Sequence, residues 1–438
     1  MSGLTLPLAE RAAAISYDQI PEDVREIARH ALLDWFGVTL AGSREDGPAK
    51  LLDVLDPGGG DAVTVVGHAA RLSPLGAALV NGTASHQLDF DDVNIVYVVH
   101  VTVAVLGAAL ALAEQLDRDL EALIEALVAG YETACRVAAA LGPEPYLRGF
   151  HSTGTVGTFG AAAACARLLR LDAPTTATAL GIAASQAAGL KCNFATMTKP
   201  LHAGKACENG LLAALLAARG FSASAEAIEA EQGFAAISGG GLDAGAALAA
   251  PPGGWHLRAN LFKHHASCYF THSAIEGVRE LSVQAGDIAR IRLHVSELEL
   301  STCVVPAPHT ALEVKFSIAH LTAMAMLGRD TRTIGDEAAR DEDVIALREK
   351  VELVEDGQAG APTRVDVELL DGSERSAARD VNRPERDLPR QRARLSEKFA
   401  ALAGPVLGPA QAEELHAAIV DLDRGLLVRT LTRFAVPR

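Results

Sequence analysis

A mainly α-helical chain, with one large all-helical domain followed by a smaller α+β domain, is the fold class this sequence predicts. Three observations carry that expectation. Hydrophobic residues make up 49% of the 438, drawn largely from Ala, Leu and Val, while aromatics are only 4%. Small side chains let helices approach closely, whereas β-sandwiches lean on aromatic and β-branched residues. Helical periodicity runs through the first ~260 residues, and period-two alternation begins only after the Pro251-Pro252-Gly253-Gly254 break.

From Pro21 to Gly42 the apolar positions Val24, Ile27, Ala28, Ala31, Leu32 and Phe36 recur at helical spacing, and Gly42 supplies a stop. Further Ala/Leu-rich helices are expected at 74–86, 101–115, 119–141, 154–169, 174–188 and 203–219, separated by Gly, Pro or polar breaks. The least polar stretch, Ile95 to Ala113, approaches membrane-spanning length, but His100, Thr102 and three preceding aspartates make it a buried helix. Ile291 to Val295 alternates apolar and polar residues as a strand does, and Glu297 to Leu300 resumes the alternation one residue out of phase, marking a bulge or the strand end. Val365 to Leu369 is a second strand running into Asp371-Gly372, a hairpin turn. Ser317 to Leu327 and Asp341 to Val351 read as helices between the strands, and Leu395 to Leu402 and Ala410 to Leu427 as terminal helices. The expected units are 1–258, helical; 259–390, α+β; and 391–438, helical and packing back on the first.

The formal net charge of −16 argues against nucleic acid as a partner, because an acidic surface repels phosphate. A small anion is still admissible in a locally positive pocket. The first residues carry no basic segment followed by an apolar core, so a cytoplasmic location is expected. Six scattered cysteines without a C-x-x-C pair suggest free thiols and no zinc or iron–sulfur site. No phosphate-binding glycine loop, dinucleotide fingerprint or G-x-S-x-G elbow is present, so neither a nucleotide cofactor nor an α/β-hydrolase is indicated.

Four clusters carry candidate chemistry. Asp89-Phe-Asp91-Asp92, followed by His100, gathers carboxylates at the mouth of an apolar helix. On a helix Asp89 and Asp92 would share a face and repel unless a cation answers, although solvent-facing caps of the next helix explain them equally well. Tyr146, Arg148 and His151 precede Ser152, Thr153 and Thr155, natural N-caps whose helix start binds carboxylate; Arg148 offers a bidentate clamp and His151 a proton-transfer group. Lys199 and His202 open another helix, where the dipole disfavours a lysine and would welcome an anion. Lys263 to His272, with Cys268 between, lies on the seam between the two expected domains, a place ligands prefer. Lys315 at a further helix start has a weaker claim. Ordinary capping, solvated lysines and satisfied core histidines are the competing structural explanations. The histidine spacing of the seam matches no metal template, so no metal is expected.

Taken in order, His86-Gln-Leu-Asp-Phe-Asp-Asp92, His100, Arg148-Gly-Phe-His-Ser-Thr-Gly-Thr-Val-Gly157, Thr198-Lys-Pro-Leu-His-Ala-Gly204 and Phe262-Lys263 with Cys268 and His272 resemble the MmgE/PrpD family across nearly the whole chain. The resemblance implies a helical domain with an α+β lid, a homodimer, a small di- or tricarboxylate substrate, and catalysis without metal or organic cofactor. It places Asp89, His100, His151 and Lys199 in the pocket, with Tyr146 and Lys263 as further proton-transfer groups; Arg148, Thr153, His202, Cys268 and Lys315, from the clusters themselves, are the expected substrate-binding residues. Val93 stands where the family's cis-aconitate decarboxylase has threonine, and Val101 where a proline is familiar. The implied activity is proton abstraction beside a carboxylate by a hydro-lyase of the 2-methylcitrate dehydratase type; an epimerase of the iminodisuccinate type and a non-catalytic carboxylate-binding module are the alternatives.

Overall fold

The computed structural model describes residues 3–55, 62–239, 241–358, 360–421 and 425–438. It is mainly α-helical. Helices Glu22–Gly42, Pro74–His86, Val101–Gln115, Leu120–Leu141, Ser152–Leu168, Ala173–Ala184 and Thr198–Ala217 build a large core rich in alanine, leucine and valine. Helix 101–115 is buried along nearly its whole length, as its uniformly apolar sequence requires. No described helix is long and apolar enough to cross a membrane.

Close helix approach depends on small residues. A Cβ on Gly204 would lie 2.3 Å from the Leu79 carbonyl oxygen and 2.2 Å from Thr83 Oγ1, so helices 74–86 and 198–217 can cross this tightly only with glycine there. That crossing brings the start of helix 198–217, with Lys199, toward the end of helix 74–86, where Asp89 follows.

The second core belongs to a four-stranded sheet. Strands β3 (Ile288–Val295), β4 (Val351–Glu355), β5 (Arg364–Leu369) and β6 (Glu374–Ala378) lie in the order β4-β3-β5-β6. β3 and β4 are parallel, joined through helices Ile318–Met326 and Glu342–Arg348, and the other pairs are antiparallel. Ile291, Leu293 and Val295 face inward with Val365 and Val367. The β5–β6 hairpin turns where Asp371-Gly372 stands, Gly372 at φ +83°.

Of the two readings of Glu297–Leu300, the strand end holds: β3 stops at Val295, and Glu297–Leu300 is a short helix because Ser296 and Glu299 form a capping box. The irregularity in β3 falls at Ile288/Arg290. Two local expectations are corrected. Val351, expected at a helix end, opens β4, and a two-stranded sheet of β1 (Val63–Thr64) and β2 (Arg71–Leu72), too short for periodicity to register, interrupts the helical region.

Helix Leu388–Leu407 lays Leu395, Phe399, Ala403 and Leu407, spaced four apart, against helix 22–42, joining the first core; there Gly37 admits the Phe399 backbone. Helix Pro409–Val420 ends before the expected Leu427, and residues 422–424 of that expectation lie outside the described ones.

Candidate functional site

Three helices begin at one cavity. His100 and His151 are the N-cap residues of helices 101–115 and 152–168, and Lys199 is the second residue of helix 198–217; all three line the cavity. Helix starts present free N–H groups and positive dipole ends, so the cavity favours an anion. The expected caps Ser152, Thr153 and Thr155 lie inside the helix, which starts one residue after His151 without a side-chain cap. Thr153 instead accepts the His100 backbone N–H at 3.2 Å.

The Asp89–Asp92 segment is a turn and not a helix, so its carboxylates diverge. All three are buried, which removes the solvent-facing cap as their explanation. Asp89 adopts a left-handed conformation at φ +50°, one that Asp tolerates better than most residues. Its carboxylate takes Lys199 Nζ at 2.9 Å on Oδ2 and Lys263 Nζ on Oδ1. Burial pushes Asp89 up, but the two ammonium groups outweigh it and hold the carboxyl well below its ordinary value.

Asp91 bridges two imidazoles. His86 Nδ1 meets one oxygen at 2.9 Å and His100 Nδ1 the other at 2.8 Å. Because a carboxylate only accepts, both Nδ1 atoms carry the proton and each Nε2 is left as the basic nitrogen. Burial lowers His100 from its ordinary value despite Asp91, and lowers His86 to about 4, so both are neutral at neutral pH. His86 is fully enclosed, whereas His100 keeps 12% of its side chain exposed, toward the cavity it lines.

Asp92 points away, accepting the Thr102 hydroxyl and the Asn260 amide, each at 2.6 Å. Burial, with Asp34 adding, raises it to about 8. With a folded-state value of about 8 against 3.8 in the unfolded chain, the unfolded state gives up the proton first, so the fold loses stability as pH rises from about 4 and the loss is complete near 8. The wild-type urea midpoint should therefore fall between about pH 4 and pH 8 and level off above. Asp92→Asn, which keeps the shape, should flatten that decline; parallel curves would refute it.

The remaining candidates fall at different depths. His151 Nδ1 lies 3.0 Å from His202 Nδ1, so His202 holds His151 from behind and does not line the cavity. Burial and Lys199 keep His151 well below its ordinary value. The Tyr146 hydroxyl, raised by burial, faces Thr302 Oγ1 at 3.4 Å across the cavity edge. Cys268 lines the cavity, its thiol lowered by a hydrogen bond with Cys303. Lys263 lies under Asp89, its three donors committed to the Asp89 carboxylate, the Asp89 carbonyl and the Ser267 carbonyl. Lys315 is buried beside the cavity without lining it, close enough to feel Glu45, Asp89 and both lysines, and burial lowers it to about 8; its ammonium makes no hydrogen bond among the described residues. Arg148 is exposed, its guanidinium packed on Gly239, so it forms no clamp here.

Sequence reasoning assigned no role to Asp91 or His86, although both stand in the motif it singled out. Phe194 and Phe316, whose rings flank the Lys199 ammonium at 5.5 and 5.1 Å, gave no signal, being isolated aromatics. Val98, like Asp89, lines the cavity at φ +50°, a strained conformation for a β-branched residue and typical of functional sites.

His86, Asp89, Asp91 and His100 bring donor atoms within 4.8 Å of one another. A metal fits poorly there, because Lys199 and Lys263 already occupy both Asp89 oxygens and would repel a cation. The free space among the lining residues is about 30 Å³, room for little more than a water molecule. A larger cleft of about 580 Å³ lies beyond Tyr269, but it contains none of Asp89, His100, His151 or Lys199, and its His265 and Arg383 are paired with Glu276 and Asp380.

The MmgE/PrpD N-terminal domain family model matches residues 7–246, and that of the MmgE/PrpD C-terminal domain matches 265–424. The chain is 27% identical over 466 aligned positions to cis-aconitate decarboxylase of Aspergillus terreus, covering 97% of this chain and 94% of that protein. It is 39% identical over 172 positions to the Homo sapiens cis-aconitate decarboxylase, covering 38% and 36%. The Mus musculus enzyme of that name is 36% identical over 173 positions, covering 38% and 35%.

Proposed function

The chain belongs to the MmgE/PrpD family, and from that premise we propose that it is a lyase acting on a small di- or tricarboxylate by moving a proton at the carbon beside a carboxylate. One observation carries the reading: a neutral His100, oriented by Asp91, shares a cavity with the Lys199–Asp89 pair at the convergence of three helix starts. Lys199 and the helix N–H groups receive a substrate carboxylate, and Lys315 a second one. His100 Nε2 takes the α-proton. The electron pair moves onto the carboxylate as an enediolate, which Lys199 stabilises, an effect of about 3–4 kcal/mol for a well-placed donor.

Loss of a β-hydroxyl completes the reaction as a hydro-lyase. Tyr146, kept protonated by burial, is suited to hand its proton to the departing hydroxyl. Val93, where the chain departs from the decarboxylase pattern, lines the same cavity, which supports elimination. Decarboxylation of an unsaturated tricarboxylate is the second reading, supported by the names of the relatives. There the breaking carbon–carbon bond supplies the electrons and a histidine delivers the proton.

We also propose that the sheet-containing unit, residues 259–390, acts as a lid over the helical one. The two separate hydrophobic cores and the small volume left between the lining residues support this, since a tricarboxylate needs the cavity to open. Homodimeric assembly is proposed on the family resemblance alone.

The test is incubation in D2O with 2-methylcitrate, citrate, cis-aconitate and iminodisuccinate, following deuterium uptake and products by NMR, with Lys199→Ala as control. An alkene formed from a hydroxy acid supports elimination, and CO2 from cis-aconitate the second reading. Inversion with deuterium uptake and no elimination makes the protein an epimerase. Dicarboxylate binding without any exchange makes it a binding module and sinks the lyase.

A further inference from the structure

Lys398 lies in helix 388–407, outside the cavity, yet it grips both halves of the candidate site. Its Nζ donates to the Phe90 carbonyl at 2.6 Å and to the Lys263 carbonyl at 3.1 Å. It pairs with Asp34 of helix 22–42 at 2.6 Å and stands 3.9 Å from the centre of the Phe90 ring. Only 7% of the side chain is exposed. The two carbonyls belong to the neighbour of Asp89 and to Lys263 itself, segments more than 170 residues apart in sequence.

We infer that Lys398 is a positioning residue that clamps the Asp89 turn onto the Lys263 segment and so sets the Lys199–Asp89–Lys263 arrangement. Asp89 sits in a left-handed conformation that persists only where its surroundings fix it. The Val93–Leu261 bridge, with both N–H···O distances at 2.9 Å, joins the same two segments on one side of the turn. Lys398 joins them on the other. Its charge is matched by Asp34, so removing both together leaves the net charge of the region unchanged.

The consequence for turnover rests on the lyase reading; the consequence for local structure does not. The variant to make is Lys398→Met with Asp34→Asn, since replacing both members of a buried ion pair avoids the unpaired charge that would threaten folding. Lys398→Arg, which keeps donors for both carbonyls, is the rescue. Hydrogen–deuterium exchange should rise about tenfold or more in residues 88–94 and 262–267 of the double variant, with the rest of the chain as in wild type. On whichever substrate wild type turns over, kcat should fall about 10- to 100-fold with KM within about threefold, and Lys398→Arg should recover most of it. Unchanged exchange in both segments overturns the inference whatever the activity. So does a uniform rise across the chain, which marks a merely structural residue, or loosened segments with wild-type kcat. A wild type inert on every substrate rejects the lyase reading alone, and the exchange result then decides the role of Lys398.

Discussion

His100→Gln should lower kcat by about 10²–10⁴, the range for loss of a general acid–base group, while shifting KM far less. The imidazole is not a substrate clamp: its Nδ1 is spent on Asp91, and only Nε2 is left for the cavity. Asp91→Asn should damage kcat in the same direction, because an amide can donate to Nδ1 and so turn the ring to the wrong tautomer. The pH profile provides an independent check. Because burial lowers His100, the base stays unprotonated until the pH is below its ordinary 6.5, so the acidic limb of kcat/KM should lie below that value. With Lys315 in its proposed role of holding a second carboxylate, the basic limb should fall near 8, where it loses its proton. Retention of wild-type kcat in His100→Gln would remove this histidine from the mechanism.

Asp89→Ala should cost stability more than any other single change at the site, by about 3–5 kcal/mol, because it strands two buried ammonium groups. Lys263 is the more sensitive partner. Its side chain is wholly enclosed, and two backbone carbonyls cannot replace a carboxylate as counter-charge. The pH dependence has the opposite sign to that of Asp92. Asp89 has a folded-state value well below 3.8, so its stabilisation is complete above that pH and is lost as pH falls further. The gap in urea midpoint between wild type and Asp89→Asn should accordingly be full at neutral pH and shrink below about pH 4. A gap independent of pH would show that shape, and not charge, sustains the turn.

Much of this protein was legible in one dimension. Periodicity located helices 74–86 and 101–115 to the residue, because long apolar runs bounded by Pro, Gly or polar breaks admit few alternatives. It stopped short where local chemistry competed with pattern. Glu297–Leu300 alternates like a strand but is capped like a helix, and helix 198–217 begins five residues before its Ala-rich repeat because Thr198 to His202 carry no amphipathic signal.

The sequence by itself determined the mainly helical class and the family and singled out candidate side chains, through its periodicity and its ordered motifs. Only the tertiary structure decided their partners, burial and access. Asp89, Asp91 and Asp92 are near neighbours in the chain, yet one faces two lysines, one two imidazoles and one only uncharged donors. Lys199, Lys263 and Lys315 are the same residue type, yet the first reaches the cavity, the second is spent on Asp89 and the third is buried without a hydrogen-bonded partner among the described residues. Charge state and access depend on burial and on partners more than a hundred residues away, and local sequence encodes neither.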